Sequence, residues 1–206
     1  MKSRASFRPS GICVAIVLLA SVPGWPAGAQ QPPPLEVKSV VEKKLKELPP
    51  GPLYWEIETF PSLAAAQAAA TAPTSLAAEI SGKAWLFTLG SKDAPMHGGT
   101  KVAEIGPVPP LVAPEYLLRI NHAYGPPGAK TPVHSHAGSE AFYVLAGRLG
   151  QKTPHGVAYT EAGQAMNGHG GDMAMQVFSG GTTDLDQLVM FVVDAARPFS
   201  TPAKLE

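Results

Sequence analysis

The residues best suited to chemistry in this 206-residue chain stand in "TPVHSHAGSEAFYVLAGRLG", residues 131 to 150. His134 and His136 are one residue apart, and Glu140 follows after three more. On a strand, residues i and i+2 project from one face about 6.6 Å apart, so the two imidazoles share a side. Ala137-Gly138-Ser139 supplies a turn, and Glu140 opens the next strand with Phe142, Val144 and Ala146 on its face. Antiparallel pairing brings such a carboxylate beside the imidazoles. Two nitrogens and one oxygen, with positions left open, form a donor set that binds divalent metals. A bare His-x-His would favour the alternative of two surface histidines at a strand end.

Positioning these groups requires strands, and the chain supplies them. "LYWEIETF" and "KAWLFTLG" have strand composition, the second ending in glycine. Beyond residue 90, short strand segments are expected near 100–105, 115–122, 132–136, 140–146, 156–160, 174–179 and 186–194, separated by Gly, Pro, Asn and Asp. Strands at this spacing argue for an all-β sandwich or barrel rather than an alternating α/β fold. The alanine-rich "SLAAAQAAATAPTSLAAEI" is helix-prone, interrupted by Pro73. No fixed period recurs, which excludes a solenoid.

The N-terminal end points to export. Met1 to Ala29 reads as a secretory signal peptide: Lys2, Arg4 and Arg8 precede an apolar stretch from Gly11 to Val22, and Ala27-Gly28-Ala29 has the small-x-small cleavage pattern. The stretch is short of the ~20 residues of a membrane span, so no stable insertion is expected. The mature chain would be periplasmic or secreted. After Ala29 there are thirteen basic and sixteen acidic residues, a net charge of −3, and no cysteine, since Cys13 lies before the cut. This excludes disulfides and thiolate ligands, and gives no footprint for nucleic acid or an anionic membrane. Residues 30–52 read as a proline-rich linker. Within it Leu35 to Leu48, four lysines among three glutamates, would form a short helix. Residues 53–200 read as one β domain, and residues 201–206 as a tail.

A family resemblance enters at the histidines. Gly128, five residues, His134-x-His136, three residues, Glu140, six residues and Gly147 resemble the first motif of the cupin superfamily at every fixed position. The resemblance implies a small antiparallel jelly-roll barrel, with His134, His136 and Glu140 as metal ligands. The segments "ETFPSLAAAQAAA", "GKAWLFTLG", "GGTKVAEIGPVP" and "VMFVVDAARPF" are similar to those of exported bacterial cupin-domain proteins. A fold of this kind hosts many activities and leaves the reaction open.

The second cupin motif, Pro-x-Gly-x-x-His-x-x-x-Asn, is degenerate here. Setting "MQVFSGG" against it places Met175 at the histidine and Ser179 at the asparagine, with Gly170 and Asp172 at the proline and inner glycine. A slip of one residue would instead put Ala174 there and swap the faces. His169, in the preceding glycine-rich loop, could reach in from the barrel mouth. Three readings follow. His134, His136 and Glu140 hold Fe, Mn, Ni, Zn or Cu with water and substrate completing the site; or Met175 adds a soft thioether that favours copper; or Met175 is core packing and the histidines hydrogen-bond an organic ligand. Phe142, Val144, Met175 and Val177, if they face inward, suit a small, partly apolar molecule. The two functional classes are therefore a metal-dependent enzyme of oxidation or isomerisation and a binding module without turnover. A jelly-roll edge also offers a homodimer interface.

Other residues carry less. Tyr116, Leu118, Ile120 and His122 share a face, on which His122 is expected as a core or rim histidine. "HGGTK" lacks the ending of a phosphate loop and reads as a turn, as does "TPHGV" around His155. Ser135 and Ser139 have no orienting acid in the sequence, and Lys130 and Arg148, which could meet an anionic substrate at the barrel mouth, read rather as solvated charges.

Overall fold

The computed structural model describes residues 33–205; the segment read as a signal peptide lies outside the described residues. In chain order come β1 (Glu36–Leu45), β2 (Tyr54–Phe60), α1 (Leu63–Ala69), β3 (Ser75–Ile80), β4 (Lys83–Gly90) and β5 (Thr100–Ile105). The remaining strands are β6 (Tyr116–Gly125), β7 (His134–Ser135), β8 (Gly138–Ala146), β9 (Arg148–Thr153), β10 (Gly156–Glu161), β11 (Ala165–Asn167), β12 (Gln176–Ser179), β13 (Leu185–Asp194) and β14 (Thr201–Pro202).

The strands from β6 to β13 close a jelly roll. One sheet runs β1-β6-β13-β8-β11, and a facing sheet runs β10-β9-β12. Bridges Lys130–Phe178 and His134–Met175 bring the β7 stretch alongside β12. Of these eight strands the first thus pairs with the eighth, the second with the seventh, the third with the sixth and the fourth with the fifth, which is the connectivity of a rolled double Greek key. Gly147 turns β8 into β9 at φ +72°, where a Cβ would stand 2.3 Å from the Asp184 carbonyl oxygen.

A further sheet, β3-β4-β2-β5, lies against the outer face of the β6–β13–β8 layer. Between them pack Trp55, Ile57, Trp85 and Phe87 from the outer sheet, and Leu118, Ile120, Leu188 and Met190 from the barrel. A second core fills the barrel with Phe142, Val144, Leu149, Val177, Val189 and Phe191. The central strands are therefore apolar on both faces, which is why β13 reads LDQLVMFVVD rather than alternating.

Three expectations are corrected. The short helix at Leu35 to Leu48 is instead strand β1, paired along β6. Val37, Val40 and Val41 are β-branched and favour a strand, and a bulge between Ser39 and Val41 breaks the period of two that would have marked it. The second half of the alanine-rich stretch is β3, not helix: Leu76, Ala78 and Ile80 alternate into the core, while Pro73 separates them from α1. Thr201 and Pro202, expected in a tail of residues 201–206, instead pair with Ser135 and His134 as β14. The sequence also concealed β9, whose Gly150 interrupts the apolar pattern but is required where a Cβ would strike the Phe178 ring.

Candidate metal and ligand site

β7 carries the first two candidate ligands. Two backbone hydrogen bonds, from His134 N to the Met175 oxygen at 2.9 Å and from Met175 N to the His134 oxygen at 2.8 Å, fix it on one side. β14 fixes it on the other. His134 Nδ1 donates to the Pro132 carbonyl at 2.8 Å, and His136 Nδ1 to the Phe199 carbonyl at 2.6 Å. A carbonyl only accepts, so Nδ1 holds the proton in both rings and Nε2 of the neutral imidazole keeps its lone pair. The two rings stand 4.9 Å apart at 84°. His136 is buried against Phe191 and Phe199. Burial pushes its pKa down to about 4, partly opposed by the Phe199 carbonyl, so it is neutral in the range where an imidazole binds metal.

Glu140 comes from β8, opposite Phe191 of β13. Its Oε1 accepts from Gln151 Nε2 at 2.7 Å, and its Oε2 lies 3.9 Å from His136 Nε2. That separation is too long for a hydrogen bond, yet lies within the ~4.2 Å that two donors at ~2.1 Å from one ion can span. Burial raises the Glu140 pKa to about 8, with the Gln151 bond acting against it. Among the described residues, no three His, Cys, Asp or Glu side chains draw together tightly enough to hold an ion. His134, His136 and Glu140 are a looser donor set that would have to draw closer to hold one. Chemically the set fits a borderline divalent cation: neutral imidazoles with free Nε2, and a buried carboxyl group that would release its proton on binding one.

All three line a cavity of about 430 Å³, as do Phe142, Val177 and Gln187. Of the expected inward residues, Phe142, Val144, Met175 and Val177 are all buried. Met175 is not part of the cavity lining; its sulfur lies 3.6 Å from Gln151 Nε2, behind the amide that holds Glu140. His169 does not reach in either, since its ring lies 6.3 Å from His155 and away from the lining. His122 faces the outer sheet, where its Nε2 meets Asp186 at 2.7 Å and Ser81 Oγ at 3.4 Å. Serine and aspartate share one nitrogen there, so the trio cannot relay a proton as a nucleophilic triad does. Arg148 pairs with Glu161 and covers Tyr159, away from the cavity. His97 is more than a turn residue: its Nδ1 lies 3.0 Å from Glu58 Oε1, within the outer sheet.

Sequence reasoning missed Gln151, Gln187, Asn121 and Phe199. Gln187 was findable, being a polar residue spaced by two from Val189 and Phe191 in an otherwise apolar strand. Gln151 was hidden with β9, and the Phe199 carbonyl leaves no trace in the sequence.

No protein-family model matches this sequence, and no curated protein matches it. Solved structures give partial likenesses. The polyketide cyclase RemF from Streptomyces resistomycificus is 22% identical over 43% of this chain and 62% of that one, with a TM-score of 0.36. A cupin-like protein from Thermotoga maritima is 13% identical over 43% and 65%, at 0.38. The DMSP lyase DddQ from Ruegeria pomeroyi is 19% identical over 43% and 44%, at 0.36. This chain thus spans less than two thirds of the length of each. The strand pairings themselves establish the all-β jelly-roll barrel that the cupin motif implies.

Proposed function

We propose that this chain is an exported cupin that holds one divalent transition metal through His134, His136 and Glu140 and binds a small, partly apolar molecule beside it. The observation that supports the reading is the pair of Nδ1–carbonyl bonds, which leave Nε2 of both imidazoles with a free lone pair on residues that line the same cavity as Glu140. Such an ion, when bound, supplies Lewis acidity or a site for oxygen. The chain's own part is to orient the imidazoles through Pro132 and Phe199, to hold Glu140 through Gln151, and to exclude water with Phe142, Val177 and Phe191.

His134, His136 and Glu140 are the only titratable residues lining this cavity among the described residues. No side chain beside the ligands is therefore placed to act as acid or base. That favours, as a second reading, a metal or small-molecule binder without turnover.

Elemental analysis of protein purified without a chelating tag tests the site. About one equivalent of Fe, Mn, Ni, Zn or Cu is expected, lost in His134→Ala/His136→Ala. A folded wild type that stays metal-free after reconstitution with each ion overturns the reading. Met175→Leu is expected to leave metal content unchanged; copper lost in that variant would put the thioether in the ligand set.

A further inference from the structure

Gln187 has no side-chain hydrogen-bond partner among the described residues. It is fully buried on β13, and neither its Oε1 nor its Nε2 finds a hydrogen bond. Taking an amide from water without compensation is unfavourable, so such groups are almost always satisfied by something. Leu185, Val189, Phe191 and Val193, at the alternate positions of the same strand, belong to the core inside the barrel, and Gln187 lines the cavity among them.

Its place along the cavity is set by register. Phe191 lies opposite Glu140, and Gln187 lies opposite Val144. Four residues of strand separate the two positions, about 13 Å. The cavity therefore has an imidazole–carboxylate end and, on the same wall, a remote carboxamide, with Phe142 and Val189 between them and Asn121, whose Oδ1 already accepts from Arg119, as the polar residue beside Val189. The Gln187 amide offers a donor beside an acceptor in one plane, and its complement is a group presenting an acceptor beside a donor.

We infer that Gln187 is the recognition residue for an elongated small ligand with an apolar middle and a terminal carboxamide, lactam or undissociated carboxyl group. The inference rests on reading this cavity as a small-molecule site, and it is independent of whether a metal binds. A ligand of this kind satisfies both Gln187 atoms, and an analogue with only an acceptor satisfies one. Discrimination between such analogues is large where a buried polar group would be left unpaired.

The test compares hexanamide with 2-heptanone, an acceptor-only analogue of similar length, by NMR titration of purified protein with labelled glutamine side chains. Hexanamide is expected to bind at least tenfold more tightly and to shift the Gln187 side-chain amide signals. Gln187→Leu and Gln187→Met, both apolar and close in size, are expected to abolish the preference while still binding 2-heptanone. Either variant suffices if the other fails to fold. Equal affinity for the two compounds, unchanged by the variants, overturns the role of Gln187 but leaves the cavity as a ligand site. Exclusion of both compounds from the wild type overturns the cavity reading along with it.

Discussion

Glu140 is buried with one oxygen on the Gln151 amide, and its pKa stands near 8 against an ordinary 4.5. Its folded form thus binds a proton that the unfolded chain has released, and metal-free stability falls as pH rises from about 4.5 to about 8. His136 acts oppositely: with its pKa lowered from 6.5 to about 4, stability is lost as pH falls through that window. The two slopes cancel between about 4.5 and 6.5, leaving the Glu140 slope alone above. Denaturant titrations of metal-free protein should therefore show stability declining from pH 6.5 to 8. Glu140→Gln, which keeps an acceptor for Gln151, should flatten that decline. Gly168 packs closely on this residue: a Cβ there would stand 2.6 Å from the Glu140 carbonyl oxygen and 2.8 Å from its Cγ. Gly168→Ala should destabilise the fold by about 1–3 kcal/mol through overpacking, read by chemical denaturation, and weaken metal binding by displacing the carboxylate.

Among the elements, β14 and the residue pair before it matter most to the site. Ending the chain after residue 198 removes the carbonyl that accepts from His136 and the strand beside His134. Loss of such an outer partner typically weakens metal affinity 10–100-fold, which competition with a chelator would measure. Phe199→Ala keeps the carbonyl but removes a ring packed on His136 and Phe191, with Arg119 over its other face. Because Phe199 is only half-buried, the change should cost about 1–2 kcal/mol of stability, while affinity falls less than in the truncation. β1 presents a different problem, an outer edge ten residues long. Lys38, Lys43 and Lys44 along it discourage pairing with another chain's edge. The elements that the sequence disclosed were those with unbroken patterns, such as β4 and β13, and the ligand motif was legible because its glycines and turn have fixed offsets. What stayed hidden was tertiary: a bulge masked β1, Gly150 masked β9, and residues 199–202 gain meaning only by lying beside β7.

At the scale of the whole molecule, β6, β8 and β13 serve two cores at once, the barrel interior on one face and the tryptophan-rich layer on the other. The barrel cannot lose these strands without uncovering Trp55 and Trp85. Thermal unfolding of protein beginning after Ala29 should accordingly give one transition, with tryptophan fluorescence and far-ultraviolet circular dichroism superimposing. Two separated transitions would mean that the outer sheet melts by itself. The position of β14 carries a further consequence, one of timing. A chain emerges from the ribosome N-terminus first, so His134, His136 and Glu140 are exposed before the carbonyl of Phe199 and the strand at Thr201 exist. Until those residues arrive, His136 has no acceptor to fix its tautomer and β7 has one open edge. Between Glu140 and Phe199, about sixty residues of synthesis, the donor atoms are therefore made but unaimed, and the site is completed only once β14 has folded beside β7.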